Sequence, residues 1–246
     1  MLVILFVAAV WAGVQNALAG GGSFVTLPAL ILSGLDARAA NIASTIALFP
    51  GQVTTGWVNR KMVSGAAGLS FKALVIISLI GGALGGALLL LTPSSFFARL
   101  VPWLVLFATA LFAYGSFVKK PGEAGARLGR TGAGVAQFLI AVYGGYFGGG
   151  IGFLMLAALT ATGLAVRIAG STKNVLAAVM NAAAVAIFLF TPHIPWIRVG
   201  VVCVGAVGGG YLGALALKRV DERIIRGFVV VLGIALTIGL FLRQAK

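Results

Sequence analysis

Two runs of consecutive glycines carry the first chemical signal in the sequence. Ala19-Gly20-Gly21-Gly22-Ser23-Phe24 is answered, about 128 positions later, by Phe147-Gly148-Gly149-Gly150-Ile151-Gly152 in a similar apolar setting. Glycine is costly inside a helix and free to take unusual backbone angles, so each triplet predicts a point where an apolar helix stops and shows its peptide groups. In hydrocarbon, exposed backbone is tolerated only around a protein-lined cavity. The alternative is that these glycines only let helices pack closely. A helix that restarts directly after such a run offers unpaired N–H groups and a partial positive charge, which suits an anion. The candidate substrate-binding residues at the two breaks are Gly20, Gly21, Gly22 and Ser23, and Gly148, Gly149, Gly150 and Ile151. The Ser23 hydroxyl can cap its own helix or bind the ligand.

Polar residues that would be costly against lipid gather near these breaks. Gln15 and Asn16 precede the first. Asn41, Ser44, Thr45 and Gln52 lie along the following apolar run, and Ser171, Thr172, Lys173, Asn174 and Asn181 along its counterpart. Of these, Asn41, Ser44, Thr45, Thr172, Lys173, Asn174 and Asn181 join the candidate site. Asn174 and Asn181 are two helical turns apart and share a face, with Lys173 beside it. No acid on its own run can pair with Lys173. It is either a fixed positive charge for an anionic substrate or an anchor that snorkels to the cytoplasmic surface. Arg167 reads as an interfacial anchor, and His193 as an external loop residue.

Other chemistries lack their residues. The sequence has no His-x-x-x-His, no Cys-x-x-Cys, no phosphate-binding Gly-Lys-Ser/Thr loop and no paired acids for a metal. No catalytic residue, metal or cofactor is expected. The four acids, Asp36, Glu123, Asp221 and Glu222, sit near segment ends, which speaks against carboxylate-based cation transport. Cys203 is a packing residue.

The elements that must position these residues follow from composition. The chain has 246 residues, 61% of them hydrophobic and 9% charged, with mean hydropathy +1.12, which predicts an all-α polytopic membrane protein. Its net charge of +14 would suggest nucleic acid in a soluble domain; in short loops it orients a membrane protein instead, and nucleic acid is not an expected partner. Met1 to Val10 resembles a signal sequence but has no basic residue before it, so it is expected to stay in the mature protein.

Apolar runs fall at about 1 to 18, 23 to 35, 39 to 58, 69 to 92 and 97 to 118. They recur at about 131 to 147, 151 to 164, 167 to 190, 196 to 217 and 222 to 243. The second of each set is too short for an ordinary crossing. Gly82, Gly86 and Ala87 find counterparts in Gly209, Gly213 and Ala214, and Gly34 in Gly163, so one duplication is expected. The organisation is then a first transmembrane repeat, 1–118, a cytoplasmic linker, 119–130, and a second repeat, 131–246.

Basic residues test the topology. If the short segments only dip in and return, giving eight crossings with two re-entrant segments, the two faces collect ten and eight basic residues. If each short segment crosses, each half has five segments, the halves are inverted, and twelve face five, with Lys173 left inside the membrane. The positive-inside rule prefers the second arrangement. Inverted halves with broken helices at their centre are a recurring transporter plan.

The whole pattern resembles the TauE/SafE family of sulfite exporters. The resemblance rests on Gly13, Ala19 to Pro28, Gly34 and Ala39 to Thr45, paired with Gly144 to Gly152, Ala169 to Asn174 and Asn181. It implies a multi-pass transporter of the inner membrane, in a family linked to export of sulfite and organosulfonates. Leu156 or Ala157 stands opposite Pro28, so the two breaks need not be equivalent. The expected partners are a small anionic substrate and membrane lipid; a homodimer is left open.

Overall fold

The computed structural model of the chain describes residues 1–18, 21–114, 128–216 and 222–244. Gly20 and residues 119–127 of the linker lie outside them, as do Lys218 and Arg219 of the charge count. The described residues form α1 (Leu2–Leu18), α2 (Ser23–Leu32), α3 (Ala37–Asn59), α4 (Phe71–Leu91) and α5 (Ser94–Ala113), then α6 (Arg130–Tyr146), α7 (Ile151–Ala161), α8 (Val166–Phe188), α9 (Trp196–Ala216) and α10 (Glu222–Gln244). The lengths run 17, 10, 23, 21 and 20 residues, then 17, 11, 23, 21 and 23. Both short helices end at a left-handed glycine, Gly34 at φ 94° and Gly163 at φ 92°.

The chain is an all-α polytopic membrane protein. Helices α4, α5 and α8 are long and apolar enough to cross a bilayer. Large apolar side chains such as Ile80, Leu91, Trp103 and Ile197 stand exposed on the helices, as a lipid-facing surface requires.

The helices gather into two compact units that cut across the sequence halves. One comprises Met1–Gly51, Thr92–Ala113 and Thr191–Lys246; the other comprises Gln52–Leu91 and Tyr114–Phe190. In the first, α1 lies on α9 through small residues. A side chain on Gly13 would run into the backbone of Ala206 and Gly210, and one on Gly209 into that of Val10. Without a hydrophobic drive between helices in lipid, such close backbone approach is what holds them together. Asp36 starts α3 by accepting the N–H groups of Arg38 at 3.0 Å and Ala39 at 3.1 Å. It also accepts the Ser94 hydroxyl at 2.8 Å, which ties the start of α3 to that of α5. Helices α5 and α10 run antiparallel, with Thr109 against Gly233 and Trp103 edge-on to Phe241 at 5.0 Å.

In the second unit, α4 is the axis. Gly81 and Gly85 face Ala141 and Val142 of α6, while Gly82 and Gly86 face Met180 and Ala184 of α8. Residue numbers rise together in both pairs, so α4, α6 and α8 all run the same way. The end of α6 and the start of α8 therefore lie at opposite ends of the unit. Helix α7 carries the chain between them, so it completes its traverse and does not turn back. This matches the reading of five segments and argues against the re-entrant one in this half. Gln137 of α6 donates to the Ser78 hydroxyl of α4 at 2.8 Å, a buried interhelical bond worth roughly 0.6 kcal/mol. The last part of α3 runs antiparallel to α8, with Gly56 against Ala178.

Candidate functional site

The second glycine run breaks the chain as its composition demands. Helix α6 ends where the N–H groups of Phe147 and Gly148 both reach the Tyr143 carbonyl, at 2.9 and 3.3 Å. Gly148 and Gly150 then take φ 79° and 74°, a left-handed geometry that costs a residue with a side chain about 1–2 kcal/mol. Helix α7 restarts with the Phe153 N–H on the Gly150 carbonyl at 3.1 Å. The N–H groups of Gly149, Gly150, Ile151 and Gly152 have no acceptor among the described residues.

Against this helix start α8 presents Lys173. It lies seven residues beyond Val166, about 10 Å along the helix. A methyl group built on Gly152 would sit 3.5 Å from the Lys173 Nζ and 3.8 Å from its Cδ. No acceptor or acid partners this ammonium among the described residues. The start of α7 and the Lys173 amine thus lie side by side at Gly152, donors of the kind that suit an anion.

The residues around Lys173 have structural work. Thr172 is fully buried, and its hydroxyl accepts the Ser64 N–H at 3.1 Å, fixing the loop after α3. Asn181 donates through Nδ2 to Gln52 Oε1 at 2.7 Å, while its buried Oδ1 has no partner. What Asn181 leaves free is an acceptor, so in this geometry it fastens α3 to α8. Asn174 is half-buried one residue past Lys173.

The first break is built differently. Gly21 is left-handed at φ 80°, and Gly22 precedes α2 without a side-chain cap. Gln15 donates from Nε2 to the Gly21 carbonyl at 3.0 Å, and Asn16 Oδ1 accepts the Gly22 N–H at 3.4 Å. The Thr26 hydroxyl reaches the Gly22 carbonyl at 3.3 Å and the Ser44 hydroxyl at 2.6 Å. Thr45 donates to the Asn41 carbonyl one turn back at 2.9 Å. Here most of the polar groups pair with one another, the buried Gln15 Oε1 excepted, and every member of the network is neutral.

The sequence profile described as Sulfite exporter TauE/SafE matches residues 5–240. The chain belongs to this family. It is similar to a "Probable membrane transporter protein" of Haemophilus influenzae, 30% identical over 96% of this chain and 93% of the relative. It is also similar to one of Escherichia coli K12, 27% identical over 94% of this chain and 86% of the relative. A relative from Sinorhizobium sp, again called a probable membrane transporter, is 30% identical over 98% and 92% of the two chains. The chain is thus a membrane transporter of the TauE/SafE family.

Within this TauE/SafE member, the structure places Lys173 beside Gly152, the residue that follows Gly149, Gly150 and Ile151 in the chain. Gly148 shapes the turn. Gly21, Gly22, Ser44, Thr45 and Asn41 belong to the neutral network of the other unit, where Ser23 is the first helical residue, half-buried. Gly20 is outside the described residues. Sequence reading left Gln15, Asn16, Thr26 and Gly152 out of the site. Two amide side chains four and five residues before Gly20, a threonine four residues after Gly22, and the place of Gly152 at the end of the second glycine motif were the available signals.

Proposed function

We propose that this TauE/SafE transporter is a secondary carrier of a small anion, with sulfite or another sulfur oxyanion as the substrate class, working by alternating access across the cytoplasmic membrane. One observation carries the reading. The unpaired amides at the start of α7 and the unpartnered ammonium of Lys173 converge beside Gly152, which has no side chain to cover them. A tetrahedral or pyramidal oxyanion offers several acceptor oxygens to such a set. Its attraction to one cation about 4 Å away is on the order of 4 kcal/mol at a near-surface effective dielectric.

The matching helix lengths and the paired left-handed glycines support descent of the halves from one duplicated ancestor. The basic-residue count supports their inversion and a multi-pass placement in the inner membrane. The test is flux of radiolabelled sulfite, sulfate and taurine into proteoliposomes, with and without a pH gradient. Saturable, gradient-driven flux of one of these anions that Lys173→Met abolishes is the expected result. Saturable flux unaffected by Lys173→Met would refute the site, and unsaturable, uncoupled flux would make the protein a pore.

A further inference from the structure

The first compact unit contains a cavity of about 380 Å³ outside the glycine breaks, within the size range of small-ligand pockets. Its wall is apolar along Leu35, Ala98, Val101 and Leu240, and its end is polar at Asp36 and Ser94. We propose that this slot holds one phospholipid with an amine headgroup, a phosphatidylethanolamine, its ammonium at Asp36 and a chain along Val101 and Leu240.

Position argues for a lipid. Asp36 and Ser94 mark where α3 and α5 begin, beside the end of α2, so the polar end lies at the termini of apolar helices, where headgroups sit. From Ser94 to Val101 the apolar wall extends about 10 Å along α5, the direction an acyl chain takes.

Charge selects the headgroup. Asp36 is one of only four acids in the sequence. Burial works to raise its carboxyl pKa. The Ala39 N–H, the Ser94 hydroxyl, the Arg38 N–H and the Arg38 charge outweigh that effect and hold it below the ordinary carboxylate range. The exposed Arg99 lies one turn beyond Ser95 on the same helix face, and the Arg38 guanidinium donates to the Thr92 carbonyl at 2.9 Å. A carboxylate with the Arg38 charge beside it complements a zwitterion, ammonium to Asp36 and phosphate to the arginine. A headgroup with a phosphate alone would meet Asp36 unfavourably. A second copy of the chain is a poorer occupant, because a stable interface needs about 800 Å² from each partner and this is a narrow slot.

The experiment is native mass spectrometry of the full chain released from nanodiscs containing equal phosphatidylethanolamine and phosphatidylglycerol with matched chains. One retained phosphatidylethanolamine, favoured about tenfold, is expected, corresponding to about 1.4 kcal/mol. Ala98→Trp fills the slot and should lose the lipid; if that variant does not elute as a folded species, Leu240→Trp fills the slot from α10 and is read in its place. Asp36→Asn keeps the helix cap, since asparagine caps as well as aspartate, and should bind both lipids equally. Equal retention of the two lipids by the wild type, unchanged binding in the slot-filling variants, or a second chain in place of lipid would overturn the proposal.

Discussion

Gly152→Ala separates the anion site from mere helix packing, because the structure assigns its effects on folding and on function opposite signs. The added methyl meets only Lys173, at 3.5 Å from Nζ and 3.8 Å from Cδ, which is ordinary van der Waals contact. Gly152 is the second residue of α7 and its backbone is not left-handed, so alanine fits. Replacing a helical glycine by alanine contributes up to about 1 kcal/mol to folding. The thermal midpoint should stay level or rise by about 2–4 °C. The same methyl takes up space beside the Lys173 Nζ, where on the proposed reading a bound oxyanion would place an oxygen. Loss of one charge-assisted hydrogen bond costs about 1.5–3 kcal/mol. That corresponds to roughly a 10- to 100-fold rise in KM for the anion. Initial-rate sulfite flux in proteoliposomes, with thermal melts on the same preparations, reads both quantities. A variant that is at least as stable as wild type yet transports with unchanged KM would show that no anion sits between Gly152 and Lys173.

Other substitutions probe the remaining supports. Lys173→Met should remove the stabilisation that sulfite gives the folded protein in thermal melts, whereas Lys173→Arg should keep part of it; equal stabilisation in all three proteins would count against the charge. Gly150→Ala forces a side chain into φ 74° and should cost about 1–2 kcal/mol, lowering the melting midpoint where the same substitution at half-buried Gly227, whose added methyl would meet nothing within 4 Å, does not. A double-mutant cycle of Gln52→Ala and Asn181→Ala should give a coupling of about 0.5–1.5 kcal/mol for their 2.7 Å bond, and strict additivity would disprove it. Asp36→Ala should cost about 1 kcal/mol at neutral pH through the lost cap. Because folding lowers the Asp36 pKa, this contribution is complete above the unfolded carboxyl pKa and disappears as pH falls through the lower folded value. The difference between wild type and variant should therefore close only in acid.

Much of this architecture is local and was legible in the sequence. Each of the ten helices lies within a few residues of an apolar run, because length and hydropathy alone fix where a bilayer-spanning chain must be helical. Both glycine runs interrupt helices, since no residue with a side chain enters the left-handed region as readily as Gly21 and Gly150 do. Which polar residues gather near the runs was legible too, but not how they pair. Serine and lysine occupy corresponding places in α3 and α8, and only packing reveals that Ser44 closes a neutral network with Thr26 while Lys173 meets the start of α7. Asn181 and Gln52, far apart in the chain, become one hydrogen-bonded pair because α3 runs antiparallel to α8. The composition of the compact units was hidden for the same reason. Hydropathy marks which segments enter the membrane; which helix lies on which is decided by small-residue surfaces such as Gly82 against Met180 and Gly209 against Val10, whose match exists only once the chain has folded.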